Sequence, residues 1–436
     1  MSEPEIIIER LAVGGNGVGR LDGVACFVPF TAPGDRLTLR VTSRKRSYLE
    51  GELSALREPS SWRTEPSCPV FGQCGGCSWQ HIDYALQCRA KRALLVESLE
   101  RIARLVAPPV EETVAAPHPY GYRARAQFKL FSAAERLAVG FYRRGSRYVI
   151  DLPDGCPVVT PAINTAMQRL RLVLTLLPDR NRIPQLSIEE GEEGVVAVVH
   201  YIGREPERLR ALLLERQAEL GLAGLWVQPG RKESLLAVFG GGRLTYLVPG
   251  GAAGETPMPL GYDIGGFSQV NRGQNRVLVN LVRELLAVRP DERLLDIYCG
   301  NGNLSLPLAG LVTELVGVEE YPPSIASAID NARQLRVNNS TFRCRSAVDE
   351  VERLVAAGER FAAVLLDPPR SGAAEVVCRL RPLQAERLVY VSCDPATFAR
   401  DAAVLAGHGY RLERAIPVDM FPQTAHLETV ALFSLS

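Results

Sequence analysis

From Gly273 to the C-terminus the chain alternates short apolar runs with helix-length segments, the runs falling at residues 294–297, 315–318, 342–344, 362–366 and 388–391. Strands this apolar must be covered on both faces, and strands separated by helices pair in parallel. The alternation therefore predicts an α/β fold built on a doubly wound, Rossmann-like sheet. A helical stripe of Val277, Leu278, Leu281, Val282, Leu285 and Leu286 leads into it, and residues 429–435 are expected to close the sheet as its edge strand. Open sheets of this kind bind ligands beyond the carboxyl ends of their strands, so the residues following each run are the first candidates for function.

At 436 residues the chain exceeds one compact core. The expected division is residues 1–57, 58–265 and 266–436. Residues 1–57 alternate β-like runs with glycine turns, the pattern of a small OB-like β-barrel of about five strands. Residues 59–76 are loop, rich in Pro, Ser, Gly and Cys. Residues 84–106 place Leu86, Ala90, Ala93, Leu94, Val96, Leu99 and Ile102 at helical spacing. Residues 120–265 read as mixed α+β, with helices near 161–177 and 205–220 and hairpin turns at 240–242 and 250–254.

Hydrophobic residues at 46% and charged residues at 23% describe an ordinary globular protein. No apolar run reaches about 18 residues, and the start Met1-Ser2-Glu3-Pro4-Glu5 is acidic where a secretory signal is basic, so a cytoplasmic address without a membrane partner is expected. No feature calls for an obligate protein partner. The net charge of +1 conceals an asymmetry: residues 1–150 carry 21 Lys+Arg against 15 Asp+Glu, a net of +6, which leaves −5 for the rest. Arg36, Arg40, Arg44, Lys45 and Arg46 cluster beside Tyr48, and residues 120–129 and 141–145 interleave Tyr and Phe with Arg and Lys. Cations that hold phosphates and rings that stack on bases suit loop or single-stranded RNA; a solvated sheet edge is the plain alternative.

Ten cysteines in a chain with no signal peptide belong to a reducing compartment, where clustered thiols bind metal or catalyse. Cys68, Cys74 and Cys77 form a C-x5-C-x2-C loop, and Cys156 can supply a fourth thiolate from afar. Four thiolates suit tetrahedral zinc or an iron–sulfur cluster, and spacing does not separate the two. Cys344 and Cys378 read as inert.

The loop Asp296-Ile297-Tyr298-Cys299-Gly300-Asn301-Gly302-Asn303 follows the first strand of the sheet and is expected to precede a helix. Its glycines permit a tight turn close to a ligand, and Glu319, 19 residues after Gly300 at the end of the next strand, is placed to take ribose hydroxyls. The loop lacks the third glycine of a dinucleotide site and the Gly-Lys-Ser/Thr of a phosphate loop. S-adenosylmethionine, which carries no pyrophosphate, fits better.

Three further groups fall at the carboxyl ends of the last strands: Asp367 in Asp367-Pro368-Pro369-Arg370, Cys393 in Ser392-Cys393-Asp394-Pro395, and Glu428 in His426-Leu427-Glu428-Thr429. The C5 carbon of uracil becomes nucleophilic once a thiolate adds to C6, and a carboxylate must later remove the C5 proton so that the thiolate can leave. Cys393 and Glu428 answer these two needs. His426 reads as a hydrogen-bonding spacer. Two other readings stand beside this one: an exocyclic-amine methyltransferase using Asp367-Pro368-Pro369-Arg370, and an RNA-binding module with a vestigial sheet.

On these motifs the chain resembles, along its whole length, the RNA uracil-C5 methyltransferases that make 5-methyluridine in tRNA and 23S rRNA. The resemblance implies Cys393 as nucleophile, Glu428 as base and Asp367 beside the methyl-transfer site. It further implies that Gln269 in Phe267-Ser268-Gln269-Val270-Asn271, with Tyr298, Asn303, Glu319 and Asp367, contacts S-adenosylmethionine. Ser268 departs from the aromatic common there. Resemblance to the 23S rRNA branch implies a [4Fe-4S] cluster on Cys68, Cys74, Cys77 and Cys156, a TRAM-type barrel at the N-terminus, and 23S rRNA as substrate, with tRNA or another RNA as the alternative.

Overall fold

The computed structural model describes residues 3–133, 136–230, 234–251 and 256–436. Five strands, Glu5–Leu11, Gly17–Leu21, Val24–Val28, Arg36–Arg44 and Tyr48–Glu58, close into a barrel. Its interior is filled by Ile6, Ile8, Cys26, Val28, Leu37, Leu39 and Leu49, the inward members of the period-two alternation. On the outside, Arg36 pairs with Glu58 at 3.3 Å and Arg40 with Glu52 at 2.5 Å across neighbouring strands. Arg44, Lys45 and Arg46 remain exposed at the barrel's rim.

A seven-stranded sheet forms the centre, in the order Leu236–Phe239, Gly224–Gln228, Gly194–His200, Gln185–Gly191, Arg125–Ala133, Arg136–Tyr142, Val149–Asp151. One face is covered by the helices Pro161–Thr175 and Pro206–Glu215. The turn expected at residues 240–242 is no hairpin. It joins Leu236–Phe239 of this sheet to Arg243–Val248, which pairs instead with Met258–Asp263 and packs on the C-terminal core. The sequence shows a turn but not which strands it separates. Of the turn expected at residues 250–254, residues 252–254 lie outside the described residues.

The helix expected over residues 84–106 spans Tyr84–Arg101. Its buried face is Gln87, Lys91, Leu94, Leu95, Ser98 and Leu99, half of it polar, whereas Ile102 is exposed. The apolar periodicity thus points a little away from the true packing face, because three buried positions carry hydrogen-bonding groups.

The C-terminal sheet runs Ser340–Cys344, Glu314–Glu319, Arg293–Ile297, Ala363–Leu366, Arg387–Ser392, Glu428–Leu435, Tyr410–Val418. The first five strands are parallel, Glu428–Leu435 runs antiparallel to both its neighbours, and Tyr410–Val418 shares the direction of the first five. The fold class is as expected, but the edge is not: Tyr410–Val418 takes the edge and residues 429–435 lie inside it. Pro417, which cannot donate to a ladder, suits an edge strand. The helix expected after the glycine loop is only the 3-10 turn Leu306–Leu311, with Pro307 at its start and Gly310 within it. Among the described residues, no helix is long and apolar enough to cross a membrane.

Candidate active site

The strand order reverses between Arg293–Ile297 and Ala363–Leu366, and the loops after these neighbours part at their carboxyl ends. A cavity of about 600 Å³ opens there. Gln269, Tyr298, Gly300, Asn303, Glu319 and Asp367 all line it. Gly300 and Gly302 hold φ of 54° and 84°, the left-handed conformation that favours glycine. Tyr298 adopts φ 70° without that freedom, strain held at the cavity wall. Glu319 accepts the backbone N–H groups of Gly300 at 3.3 Å and Tyr321 at 2.8 Å, which ties the glycine loop to the next strand. The Asn303 side chain is locked by Asn275, each amide donating to the other at 2.8 and 2.9 Å, and by the Tyr246 hydroxyl at 3.1 Å.

Cys393 and Glu428 line the same cavity. Local sequence explains how the thiol is presented. Arg387–Ser392 ends the strand, Asp394 caps the helix Pro395–Gly407 by accepting from Ala396 and Thr397 at 3.0 Å each, and Pro395 takes the first helical position. Cys393 sits between strand and cap, half-buried. Burial pushes its thiol up to about 11; the Glu428 charge adds to the rise and Arg370 opposes it. Glu428, 4% exposed, opens the strand Glu428–Leu435, and burial with the neighbouring Asp367 lifts its carboxyl well above the ordinary range. Burial also pushes Asp367 up to about 7, with Glu319 contributing.

Two lining residues were not singled out from sequence. Asp296, buried at the end of its strand, is pushed up to about 7 by burial, and Asp367 and Glu319 add to the rise. Arg370 places Nη2 3.3 Å from Nδ1 of His426 and lines both this cavity and a second one. The signal for Arg370 was present in its motif: a cation directly after two prolines on a ligand-bearing rim. The second cavity, about 310 Å³, is walled by Val13 and Gly14 of the barrel, Gly75, Gly76 and Arg144 of the central part, and Ala425. Cys393, Arg370 and His426 border both spaces, so the thiol is reached from two sides.

Comparison with known proteins accords with this geometry. Residues 262–435 match the family model for tRNA (Uracil-5-)-methyltransferase, and residues 2–54 match the TRAM domain. The chain is 36% identical to the 23S rRNA (uracil(1939)-C(5))-methyltransferase RlmD of Azoarcus sp. (strain BH72), covering 99% of each chain. It is 37% identical to an uncharacterized RNA methyltransferase of Thermosynechococcus vestitus, covering 99% of this chain and 98% of that one. The crystal structure of the Pyrococcus abyssi tRNA (uracil-54, C5)-methyltransferase in complex with S-adenosyl-L-homocysteine superposes with a TM-score of 0.74, at 25% identity, over 99% of this chain and all of that one. The chain belongs to the RNA uracil-C5 methyltransferase family. It is an S-adenosylmethionine-dependent enzyme whose N-terminal barrel is a TRAM domain.

In this methyltransferase Cys68, Cys74, Cys77 and Cys156 line a third cavity, of about 160 Å³. Burial pushes Cys77 up to about 12 and Cys156 up to about 11, and the charges of Cys68 and Cys74 add to both rises. Among the described residues, no three His, Cys, Asp or Glu side chains are arranged to hold a single metal ion.

The interleaved stretch 120–129 is partly structural in the enzyme. Tyr122 is buried and donates its hydroxyl to the Pro422 carbonyl at 3.0 Å. Arg125 is spent on Glu189 at 3.0 Å and the Gly266 carbonyl at 2.6 Å. Tyr142, Arg143 and Arg147 face solvent. Arg144 spans from the central part to the TRAM barrel, with its guanidinium 5.2 Å over the Phe30 ring and 3.0 Å from the Asn16 amide oxygen.

Proposed function

We propose that this enzyme methylates C5 of a uridine in 23S rRNA through a covalent bond between Cys393 and C6. The observation that carries the reading is the position of Cys393: it stands between a cofactor-sized cavity holding Asp367 and Glu428 and a groove that opens toward the TRAM barrel. A uridine turned out of its stack would enter from the groove, which requires an RNA segment that can be unstacked.

S-adenosylmethionine supplies an electrophilic methyl group on a positively charged sulfur. Gln269, Tyr298, Gly300, Asn303, Glu319 and Asp367 would bind it, and the acidic wall suits a cation. The Cys393 thiolate would add to C6 and push electrons through the ring to C5, which would take the methyl group as its bond to sulfur breaks and S-adenosylhomocysteine leaves. Glu428 then takes the C5 proton, and the returning electron pair expels the Cys393 thiolate. Arg370 stabilises the thiolate form, since its charge opposes the rise in the Cys393 pKa. A buried Glu428 is a stronger base than an exposed carboxylate once ionised, which suits proton removal from carbon.

The four cysteines fit a [4Fe-4S] cluster: they are soft donors gathered on one cavity whose mutual charge calls for a cationic occupant. Cys68, Cys74, Cys77 and Cys156 would hold it and so fasten the loop of residues 68–77 to the central sheet. Methyl transfer consumes no electrons, so its part is structural.

Full-length relatives named as 23S rRNA enzymes support that RNA, and the uracil 1939 in their names is the first position to test. Residues 1–57, 58–265 and 266–436 are taken as the RNA-gripping, cluster-bearing and catalytic units, working in the cytoplasm. The deciding experiment incubates the enzyme and its Cys393→Ala variant with 5-fluorouridine-substituted 23S rRNA fragments and S-adenosylmethionine. A denaturation-resistant complex with the unaltered enzyme alone is expected. Methylation that survives in the variant would instead favour amine chemistry at Asp367.

A further inference from the structure

Residues 419–427 connect the edge strand Tyr410–Val418 to Glu428–Leu435, and Glu428 stands at the exit of this loop. Left alone, a loop of this length fluctuates. Here five successive carbonyl groups are each held by a donor from elsewhere. The Gln274 amide donates to Asp419 at 3.0 Å and the Asn271 amide to Met420 at 3.1 Å. Lys91 donates to Phe421 at 3.1 Å, the Tyr122 hydroxyl to Pro422 at 3.0 Å, and the Ser78 and Trp79 backbones to Gln423 at 3.1 and 3.0 Å.

Three of the five restraints come from outside residues 266–436. Gln87 adds a fourth, exchanging two hydrogen bonds of 3.0 Å with Gln423, which is held at φ 68°. The Lys91 ammonium is paired with the Asp419 carboxylate, both side chains at 0% exposure. An ion pair this buried is a weak source of stability, because desolvation offsets the Coulomb gain; its best-attested use is to specify one arrangement. The restraint passes along the loop: the Thr424 hydroxyl donates to Phe421 at 2.8 Å and accepts the His426 N–H at 3.2 Å, two residues before Glu428.

We propose that Gln87, Lys91 and Tyr122 are positioning residues for the proton-removal step, fixing from the central part of the chain the loop that sets Glu428 and His426. The inference rests on the proposed covalent mechanism. These side chains line neither the wall of the cofactor cavity nor the thiol's helix cap, so their loss should bear on S-adenosylmethionine binding and Cys393 addition far less than on resolution of the adduct.

The test uses full-length Lys91→Met and Tyr122→Phe variants, alone and with Glu428→Gln. Expected are S-adenosylhomocysteine affinity within about twofold of the unaltered enzyme and undiminished complex formation with 5-fluorouridine RNA. Release from ordinary RNA should slow about tenfold in Lys91→Met and about threefold in Tyr122→Phe, the scale of a misplaced catalytic group. In the Glu428→Gln background neither change should slow release further, because the two act on one step. Release at the unaltered rate, or an effect that adds fully to Glu428→Gln, overturns the proposal. Should Lys91→Met fail to fold, Tyr122→Phe decides, since it removes one hydroxyl. An unaltered enzyme that forms no complex with the fluorinated RNA overturns the functional reading and this one together; a normal complex with unaffected release in the variants overturns this one alone.

Discussion

Two cavities of this methyltransferase each gather several acidic groups, on opposite kinds of scaffold. Asp296, Glu319, Glu320, Asp367 and Glu428 line the larger one, at the rim of a sheet whose core is complete without them. Cys68, Cys74, Cys77 and Cys156 line the smaller one, three of them in a loop with no regular secondary structure. Burial lifts Asp296, Asp367 and Glu428 in the one, and Cys74, Cys77 and Cys156 in the other, above their ordinary pKa values. The difference lies in what the cation does. On the proposed reading the rim's cation would be a reactant that comes and goes, whereas the loop's would be a structural cluster, so that like electrostatics would serve turnover in one place and permanence in the other.

The largest effect should come from the rigid rim. Cys393→Ala should lower methylation by at least about a thousandfold while S-adenosylhomocysteine affinity, measured by calorimetry, stays put. Glu428→Gln should still form the adduct and slow its release roughly a hundredfold, seen as a protein–RNA species that accumulates on denaturing gels. Both changes should leave the melting temperature almost untouched, and a large drop would blur the contrast between the two scaffolds.

The loop cavity should behave the other way. If the proposed cluster is held there, Cys77→Ser, in anaerobically purified protein, should lose iron and sulfide and cost several kcal/mol of stability, since metal binding would then be folding energy. Its isolated C-terminal cofactor cavity should still bind S-adenosylhomocysteine. Stoichiometric zinc without iron in the unaltered protein would overturn the choice of metal.

A smaller effect concerns pH. Asp296 and Asp367 titrate near 7 when folded, against an ordinary value of 3.8. Between those values the folded chain holds more protons than the unfolded one, so their contribution to stability declines as pH rises from about 4 to about 7. Ionised above 7, they favour a cation. The preference for S-adenosylmethionine over the uncharged-sulfur product should therefore grow several-fold from pH 6 to pH 8, and Asp296→Asn should flatten the curve. The smallest effect is on the TRAM barrel. Arg44→Ala should weaken RNA binding and reduce its salt slope by about 1, whereas Arg40, already paired with Glu52, should matter less.

The site was legible where its parts are contiguous. Ser392-Cys393-Asp394-Pro395 carries a strand end, a thiol, a cap and a helix start in four residues, and the glycine loop with Glu319 repeats that economy. Arg370 was visible but given no role, since its closeness to His426 depends on two loops meeting. The buried face of Tyr84–Arg101 was misjudged because Gln87 and Lys91 look like surface residues until their partners are known. Tyr410–Val418 went unread because its alternation with arginine and glutamate resembles a solvated segment.

Periodicity and strand-end chemistry, which act over a few residues, were settled by the sequence alone: a doubly wound sheet, a glycine loop at the rim cavity, a thiol and a carboxylate on one rim, and four cysteines able to meet. Tertiary structure alone decided which distant groups neutralise one another. Lys91 finds Asp419 across 328 positions and Gln87 finds Gln423 across 336. Such pairings are selected by desolvation in a packed interior, where an unmatched charge or amide is costly, and that cost leaves no period in the chain.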